Sequence, residues 1–299
     1  MNLFLKIHMN IENLITTKYK KLLLIPLALL IISIIILGVQ YSINGQIIDK
    51  DVSLAGGISV TLILDDYNKE NIQSLLEENF PESDVSIREL SHLGTGKQTG
   101  IIIEIAAVTS EELIPILEEN LNYSEISIQE IGSSLGESFF KEMIGAIIFA
   151  FILMAITVLI IFRKLIPSLA VISSAILDLT VTLAVISVLE IKLSSAGIAA
   201  FLMVIGYSVD TDVMLATRLI KRKESGTLTE RLRIAFKTGI TMTLTTLVAL
   251  LIGFFITNSL IIKQMFGIII IALIVDLIST WIMNASMLVW YIKKNEKTV

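Results

Sequence analysis

The sequence has no cysteine and only two histidines among its 299 residues. The missing cysteine excludes disulfide bonds, thiolate nucleophiles and cysteine-ligated metal sites. Both histidines, His8 and His92, lie outside the long apolar runs, which argues against a histidine-rich metal centre, so we expect no bound metal or cofactor. The chain also lacks a phosphate-binding Gly-Lys-Ser/Thr loop, and we therefore do not expect ATP to drive it directly.

Lysine and arginine are scarce between residues 41 and 137, where Asp and Glu are abundant, and elsewhere they concentrate beside the apolar runs. Membrane topology explains this distribution, because basic residues are retained on the cytoplasmic side of a membrane. It gives no indication of nucleic-acid binding. Over the whole chain 54% of the residues are apolar and the mean hydropathy is +0.82, which is typical of a multi-pass membrane protein.

Six apolar runs are long enough to cross a bilayer, at residues 22–39, 143–162, 167–188, 197–217, 236–256 and 265–290. The first run is longer than the apolar core of a signal peptide and precedes no small-residue cleavage site, so we interpret it as an uncleaved anchor. The basic loops place both termini in the cytoplasm. Thr227 and Glu230 have the spacing of a capping box and predict an amphipathic surface helix before the fifth span.

The segment between the first two spans predicts a small α+β domain on the outer face of the membrane. Strands are predicted at 57–64, 84–90, 99–108 and 125–131, and helices at 68–79 and 110–120, with Ser110 as the N-cap of the second. Strand, helix and strand, repeated twice, is the ferredoxin-like arrangement. The predicted units are 1–40 for the tail and first span, 41–138 for the α+β domain, and 139–299 for the other five spans.

Four aspartates lie within the predicted spans: Asp178, Asp210, Asp212 and Asp276. An ionised Asp near a bilayer centre costs about 2.5 to 3.5 kcal/mol on insertion scales, so such residues find partners or carry protons or ions. Their alternative role is to cap or hydrogen bond a neighbouring helix. Asp210 and Asp212 are about 200° apart around a helix and cannot point at the same neighbour.

We predict that Asp210 faces the helix bundle and is the main proton-linked residue, because it lies one turn from Gly206, where helices can approach closely. Asp178 is expected to be its polar neighbour. Asp212, closer to Arg218 and the basic loop, is expected to position the end of the helix. All three aspartates are therefore candidates for proton coupling.

Threonines on the fifth span, Thr238, Thr241 and Thr245, share one helix face and predict a polar seam against the fourth span. That span contributes Gly206, Tyr207, Ser208 and Thr211. The alternative is that each threonine hydroxyl bonds the preceding turn of its own helix. Intramembrane aspartyl proteases also pair two aspartates on neighbouring spans, but Leu177-Asp178 and Val209-Asp210 lack their sequence contexts, and we expect no enzyme activity.

Four short motifs carry a family resemblance. Residues 51–57 resemble Asp-Phe-Thr-Gly-Gly, residues 131–136 resemble Val-Gly-Pro-x-x-Gly, and residues 243–246 resemble Thr-Ser-Leu-Thr-Thr. The strongest match is Gly206-Tyr-Ser-Val-Asp-Thr-Asp-Val213, and Asp178 stands where many members have His-Asp. Because these motifs occur together and in the family's order along the chain, nearly the whole chain resembles the SecF family. Members of that family are membrane subunits that work with SecD beside the Sec protein-conducting channel.

The resemblance implies one span, a small outer domain and five further spans, an architecture like half of a resistance-nodulation-division transporter. It implies SecD, a SecY/SecE-type channel, unfolded secretory polypeptides and membrane lipid as partners, in the cytoplasmic membrane, with the proton gradient as energy source. Bacterial members often read Asp-Asp-Thr where this chain has Asp210-Thr-Asp212, which suggests the archaeal branch and leaves open which Asp takes the proton role. The alternatives are an exporter half for small molecules or lipids and an uncoupled assembly scaffold.

Overall fold

The structure, a computed structural model, describes residues 15–64, 67–81, 83, 85–91, 98–105, 108–222, 226–257 and 259–296. Within these ranges six helices are long and apolar enough to cross a membrane. A four-stranded antiparallel sheet lies between the first and the second of them. The predicted fold class, a polytopic helical membrane protein with one inserted α+β domain, is confirmed.

Four of the six spans are single helices: α5 (Ser133–Phe162), α6 (Leu165–Val188), α7 (Ser195–Ile220) and α8 (Leu228–Ile256). The first span begins at Ile15 with helical residues 15–22, turns at Leu23 and continues as α1 (Leu24–Asn44). The sixth consists of α9 (Leu260–Ile278), a π-helical turn (Ser279–Asn284) and α10 (Ala285–Glu296). About half of the apolar stretch of α6, of α7 and of the sixth span is buried, whereas α1, α5 and α8 are mostly exposed. The three buried spans therefore form the centre of the bundle.

Helix α8 begins at the predicted capping box and continues without interruption through the fifth span. The hydroxyl of Thr227 accepts a hydrogen bond from the N–H of Glu230 at 3.3 Å, and the Glu230 carboxylate accepts from the N–H of Thr227 at 2.8 Å. The capping box is confirmed. The prediction of a separate surface helix before the fifth span is wrong. No residue breaks the helix after the cap, so the capped segment and the span form one helix.

The α+β domain comprises β1 (Gly57–Ile63), α3 (Lys69–Asn79), β2 (Val85–Ser91), β3 (Gln98–Ile105), α4 (Ser110–Asn120) and β4 (Glu125–Ile131), preceded by the short helix α2 (Val52–Ala55). The sheet order is β2-β3-β1-β4, which is the ferredoxin-like topology expected from the sequence. Asn68 caps α3, as its side chain accepts from the N–H groups of Glu70 and Asn71. The predicted cap of α4 is wrong by one residue: Thr109 is the N-cap, and Ser110 instead donates to Glu130.

The chain preceding β1 ties the α+β domain to the start of α7. The N–H of Asp51 donates to the carbonyl of Leu193 at 2.9 Å, and the N–H of Leu193 donates to the carbonyl of Asp49 at 2.7 Å. The hydroxyl of Ser53 then accepts from the N–H of Ser195 at 3.1 Å. We call this end of the bundle the domain end, and the opposite end, where Lys164, Lys221 and Lys293 lie, the basic end.

Candidate functional site

Three carboxylates from three different spans meet inside the bundle. Asp178 on α6 and Asp212 on α7 are fully buried, and Asp276 on α9 is 1% exposed. Asp178 is about 20 Å along α6 from its first residue, at 1.5 Å per residue, which places the cluster near the middle of the span. We name Asp178, Asp212 and Asp276 the carboxylate cluster.

Hydroxyl and amide groups surround the carboxylate cluster. Asp178 accepts hydrogen bonds from the hydroxyls of Ser208 on α7 and Ser279 in the π-helical turn. Asp212 accepts from the Thr280 hydroxyl at 2.9 Å and from the Asn284 side-chain amide at 2.6 Å. The same Thr280 hydroxyl lies 3.1 Å from Asp276, so it bridges the two carboxylates.

The charges of the carboxylate cluster are not balanced by any cation in the described contacts. Asp178 interacts electrostatically with both Asp276 and Asp212, and its carboxyl lies within hydrogen-bonding reach of Asp276. Two carboxyl groups form a hydrogen bond only if one of them carries a proton. Three unpaired negative charges at this depth would each cost several kcal/mol of desolvation. A proton bound within the cluster would lower this cost.

Some oxygens of the site still have capacity to interact. Oδ2 of Asp212 and Oδ1 of Asn284 are buried and accept no hydrogen bond among the described residues, although the buried hydroxyl of Ser174 lies near the Asp212 carboxyl. A buried carboxylate oxygen without a donor is a position at which a proton can be added. Within the described part of the chain, no group of three or more His, Cys, Asp or Glu side chains is arranged to hold a metal ion.

The π-helical turn supplies three of the groups that bind the cluster, Ser279, Thr280 and Asn284, all fully buried. Short π-helical segments inside α-helices are frequent at functional sites. None of these three residues was predicted from the sequence as part of the site. A signal was present, since Asp276, Thr280 and Asn284 recur every four residues within an otherwise apolar span.

The predicted orientation of the two motif aspartates is wrong within this chain. Asp212 faces the bundle and Asp210 is exposed on the opposite side of α7. The reason is the helical period: Ser208 and Asp212 are four residues apart and share the inward face, whereas Gly206 and Asp210 share the outward one. Asp178 is accordingly the neighbour of Ser208 and Asp212, not of Asp210.

The other predicted site residues on α7 lie partly on its buried face and partly on its exposed face. Thr211 is buried, and Gly206 and Tyr207 are exposed; a Cβ added to Gly206 would meet no atom within 4 Å. The prediction of a polar seam between the fourth and fifth spans is wrong. The hydroxyls of Thr241 and Thr245 are exposed and donate to carbonyls one turn back on α8, at 2.8 and 2.9 Å, which is the alternative set out above.

Comparison with known proteins agrees with this architecture. A family profile described as "Protein export membrane protein SecD/SecF, C-terminal" matches residues 113–294. The chain is 38% identical over 281 residues to the protein-export membrane protein SecF of Methanolacinia petrolearia, covering 93% of this chain and 95% of that protein. It is also 38% identical to SecF of Methanocaldococcus jannaschii over 284 residues, covering 92% and 96%.

Among solved structures, the chain resembles SecDF of Thermus thermophilus, described as a translocon-associated membrane protein, with a TM-score of 0.75 and 16% sequence identity. The match covers 93% of this chain but only 38% of the SecDF chain, so this chain spans less than half of that structure. At such low sequence identity, the structural match shows only that the two proteins share a fold. The sequence matches show more, and the chain belongs to the SecD/SecF family of protein-export membrane proteins.

Proposed function

We propose that the chain is a SecF-type accessory subunit of the Sec translocase, which works with a SecD half and uses the proton gradient to assist export of unfolded polypeptides. Its similarity to SecF proteins over more than nine tenths of its length supports the export role. In this proposal the protein lies in the cell membrane with both termini in the cytoplasm, and the α+β domain lies on the outer face near the emerging polypeptide and the SecY/SecE-type channel.

The observation that carries proton coupling is the carboxylate cluster. Its three carboxyl groups are buried between α6, α7 and the sixth span, and the Thr280 hydroxyl joins those of Asp212 and Asp276. Adding or removing a proton changes the hydrogen bonds that join α6, α7 and the sixth span. The proton-linked role predicted for Asp210 is therefore assigned to the cluster, with Asp212 as its member on α7.

The exposed face of α7 supports a partner within the membrane. Met203, Gly206, Tyr207 and Asp210 recur at helical spacing and all are exposed. An Asp facing lipid would cost about 2.5 to 3.5 kcal/mol, and a glycine on the same face permits close approach of another helix. A SecD half covering this face would remove the cost. We name these four residues the partner face.

Protein export by the reconstituted chain, SecD half and Sec channel tests the proposal, with and without a protonophore. Asp212→Asn and Asp178→Asn should abolish the part of export that the protonophore removes, while SecD still co-purifies. The matched control is Glu118→Gln, an exposed carboxylate on α4, which should export as the unmodified chain does. If both cluster variants kept full gradient-dependent export, proton coupling through the cluster would be contradicted. The alternative function, an uncoupled assembly scaffold, would then remain.

A second candidate function, export of small apolar molecules or lipids, is favoured by one observation. A cavity of about 630 Å³ lies at the domain end between α8 and α9, and Leu251, Phe254, Phe255 and Ile271 form much of its wall. Such a wall accommodates apolar ligands. Efflux of an apolar dye that depends on Phe254, with no effect on polypeptide export, would support this function over the first.

A further inference from the structure

The turn between α6 and α7, residues 189–194, is held from two sides at the domain end. On one side, both backbone groups of Leu193 bond to the chain before β1, residues 49–53, at 2.7 and 2.9 Å. We name residues 49–53 the strap. On the other side, the turn is bonded to α9 through the side chain of Gln264. The turn therefore lies between the α+β domain and the sixth span and contacts both.

Gln264 uses both ends of its side-chain amide in this contact. Its Nε2 donates to the carbonyl of Lys192, and its Oε1 accepts from the hydroxyl of Ser194. The same hydroxyl accepts from the N–H of Gly197 at 3.1 Å and so caps α7. Reversing the amide would place its oxygen against the Lys192 carbonyl, so only one orientation of Gln264 fits. The amide therefore fixes how α9 meets the turn and the start of α7.

Close packing continues this contact one turn further along α9. A Cβ on Gly197 would be 2.8 Å from Cδ1 of Leu193 and 3.1 Å from Cδ1 of Ile268. Leu193 and Ile268 are themselves buried. An interior packed this closely has low compressibility and transmits a displacement instead of absorbing it. A movement of α9 at this level would therefore be felt by the turn.

The two helices that meet at Gln264 also carry members of the carboxylate cluster. Asp276 lies about 18 Å along α9 from Gln264, and Asp212 lies about 27 Å along α7 from Ser194, at 1.5 Å per residue. At the cluster the Thr280 hydroxyl joins the two carboxyl groups. The sixth span and α7 are thus connected at two levels, the cluster and the turn, and only the second level contacts the strap.

We propose that Gln264 is a positioning residue that couples the carboxylate cluster to the α+β domain. A change of protonation in the cluster alters the hydrogen bonds between α7 and the sixth span. Gln264 passes the resulting displacement of α9 to the turn, and the turn passes it through the strap to β1. This inference rests on the proposed function, and it adds the connection by which proton coupling reaches the domain on the outer face.

Hydrogen exchange in the detergent-purified full chain tests the coupling without export. We would measure the strap amides, including the N–H of Asp51, in four forms: the unmodified chain, Asp212→Asn, Gln264→Ala and the double variant. The amides of β3 serve as the reference for global unfolding. Asp212→Asn should change strap exchange at least about fivefold, the lower end of coupling between two sites, and less than about twofold when Gln264 is replaced.

The matched control for this comparison is Gln129→Ala. Gln129 is an exposed glutamine on β4 that lines the same polar space below the sheet as Gln264 does. In the Gln129→Ala background the strap should respond to Asp212→Asn as it does in the unmodified chain. An equal response in the Gln264→Ala background would overturn the proposal, and so would a strap that does not respond to Asp212→Asn in the unmodified chain.

The export assay separates positioning from stability. Gln264→Glu keeps the acceptor for Ser194 but offers a donor to Lys192 only while its carboxyl is protonated. Its gradient-dependent export, relative to that of the unmodified chain, should therefore rise as the pH on the domain side falls, whereas Gln129→Glu should show no such rise. Relative export by Gln264→Glu that does not vary with pH, whether full or absent, would overturn the proposal.

The same assay distinguishes failure of this inference from failure of the proposed function. Gln264→Ala should lose gradient-dependent export and keep the part that a protonophore does not remove. If Asp212→Asn abolished gradient-dependent export and Gln264→Ala did not, only the role of Gln264 would be refuted. If Asp212→Asn kept full gradient-dependent export, the proposed proton coupling itself would be refuted, and the role of Gln264 with it.

Discussion

Gly136 in the first turn of α5 lies against the backbone of Gly56, the residue before β1. A Cβ on Gly136 would be 2.7 Å from the nitrogen of Gly56 and 3.1 Å from the carbonyl carbon of Ala55. Gly56 has a φ of 81°, in the region that favours glycine. The motifs at 51–57 and 131–136, each a weak signal in the sequence, therefore meet and form one joint between the α+β domain and the bundle.

Replacing Gly136 with alanine should destabilise this joint. The new Cβ would clash with backbone atoms, which cannot rotate away, and overpacking of this kind costs about 1–3 kcal/mol. We expect a lower thermal unfolding temperature for the detergent-purified chain and faster limited proteolysis near residue 56. The control is Gly145→Ala on the same helix, where an added Cβ meets no atom within 4 Å. Equal stability of the two variants would show that the joint is not tightly packed.

The sequence predicted the spans and the α+β topology well, because each depends on local signals. Long apolar runs identify membrane helices, and alternating strands with capping residues such as Asn68 delimit the domain elements. The phase of a helix around its own axis depends instead on its neighbours. Ser208 and Asp212 face inward because polar groups of α6 and the sixth span lie there, and no local signal on α7 distinguishes them from Gly206 and Asp210.

The sixth span shows a second limit of the sequence. A continuous helix was predicted from residue 265 to 290, but residues 279–284 form a π-helical turn. A π-helical turn changes the direction in which every later side chain points, so an α-helical period does not place Asn284 correctly. The polar residues themselves were visible. Their convergence on Asp212 was not, since it depends on that turn.

Glu104 on β3 should make stability depend on pH. It is 7% exposed and accepts a hydrogen bond from Arg88, which lies 3.8 Å from Asp51. Burial raises the pKa of the Glu104 carboxyl above its usual 4.5, and the Arg88 hydrogen bond only partly opposes this. Because the pKa of Glu104 is higher in the folded than in the unfolded chain, the folded state favours the protonated carboxyl. The stability from this difference is fully present below pH 4.5 and is lost as the pH rises through the folded-state pKa.

The corresponding experiment compares thermal unfolding of the full chain and of Glu104→Gln between pH 4 and pH 8. The unfolding temperature of the unmodified chain should fall relative to that of Glu104→Gln as pH rises, because glutamine cannot ionise. Glu118→Gln, at an exposed position, should follow the unmodified chain at every pH. A constant difference between Glu104→Gln and the unmodified chain would mean that the Glu104 pKa is not raised by folding.

The α+β domain should fold without the membrane spans. Its core consists of its own strands and helices, including Ile58, Leu62, Leu76, Ile103 and Leu117, and none of these side chains belongs to the cores of the bundle. An isolated segment 41–138 should give a mixed α and β circular dichroism spectrum and unfold cooperatively. Leu76→Ala should cost about 2–5 kcal/mol of its unfolding free energy. A spectrum of random coil for the unmodified segment would refute independent folding.

Asp210 and Asp212 should respond in opposite ways to substitution by alanine. Asp212 is fully buried and accepts from Thr280 and Asn284, so Asp212→Ala removes the acceptor of the buried Asn284 amide, while Thr280 can still donate to Asp276. The loss at Asn284 costs about 1–3 kcal/mol, and the chain alone should unfold at a lower temperature. Asp210→Ala removes an exposed side chain and should leave the chain alone unchanged. Because Asp210 lies on the partner face, Asp210→Ala should instead change the amount of SecD half that co-purifies. Asp212→Ala should change that amount only by destabilising the chain.

Both measurements are needed, because either alone is ambiguous. Loss of stability in Asp212→Ala is expected for any buried polar residue, but its absence in Asp210→Ala depends on the outward orientation of that side chain. If Asp210→Ala destabilised the isolated chain as much as Asp212→Ala, the helix would be rotated from the orientation described here. If Asp210→Ala changed neither stability nor partner binding, the partner face would not be where the SecD half binds, since an Asp removed from a buried interface at this depth cannot be neutral on both measures.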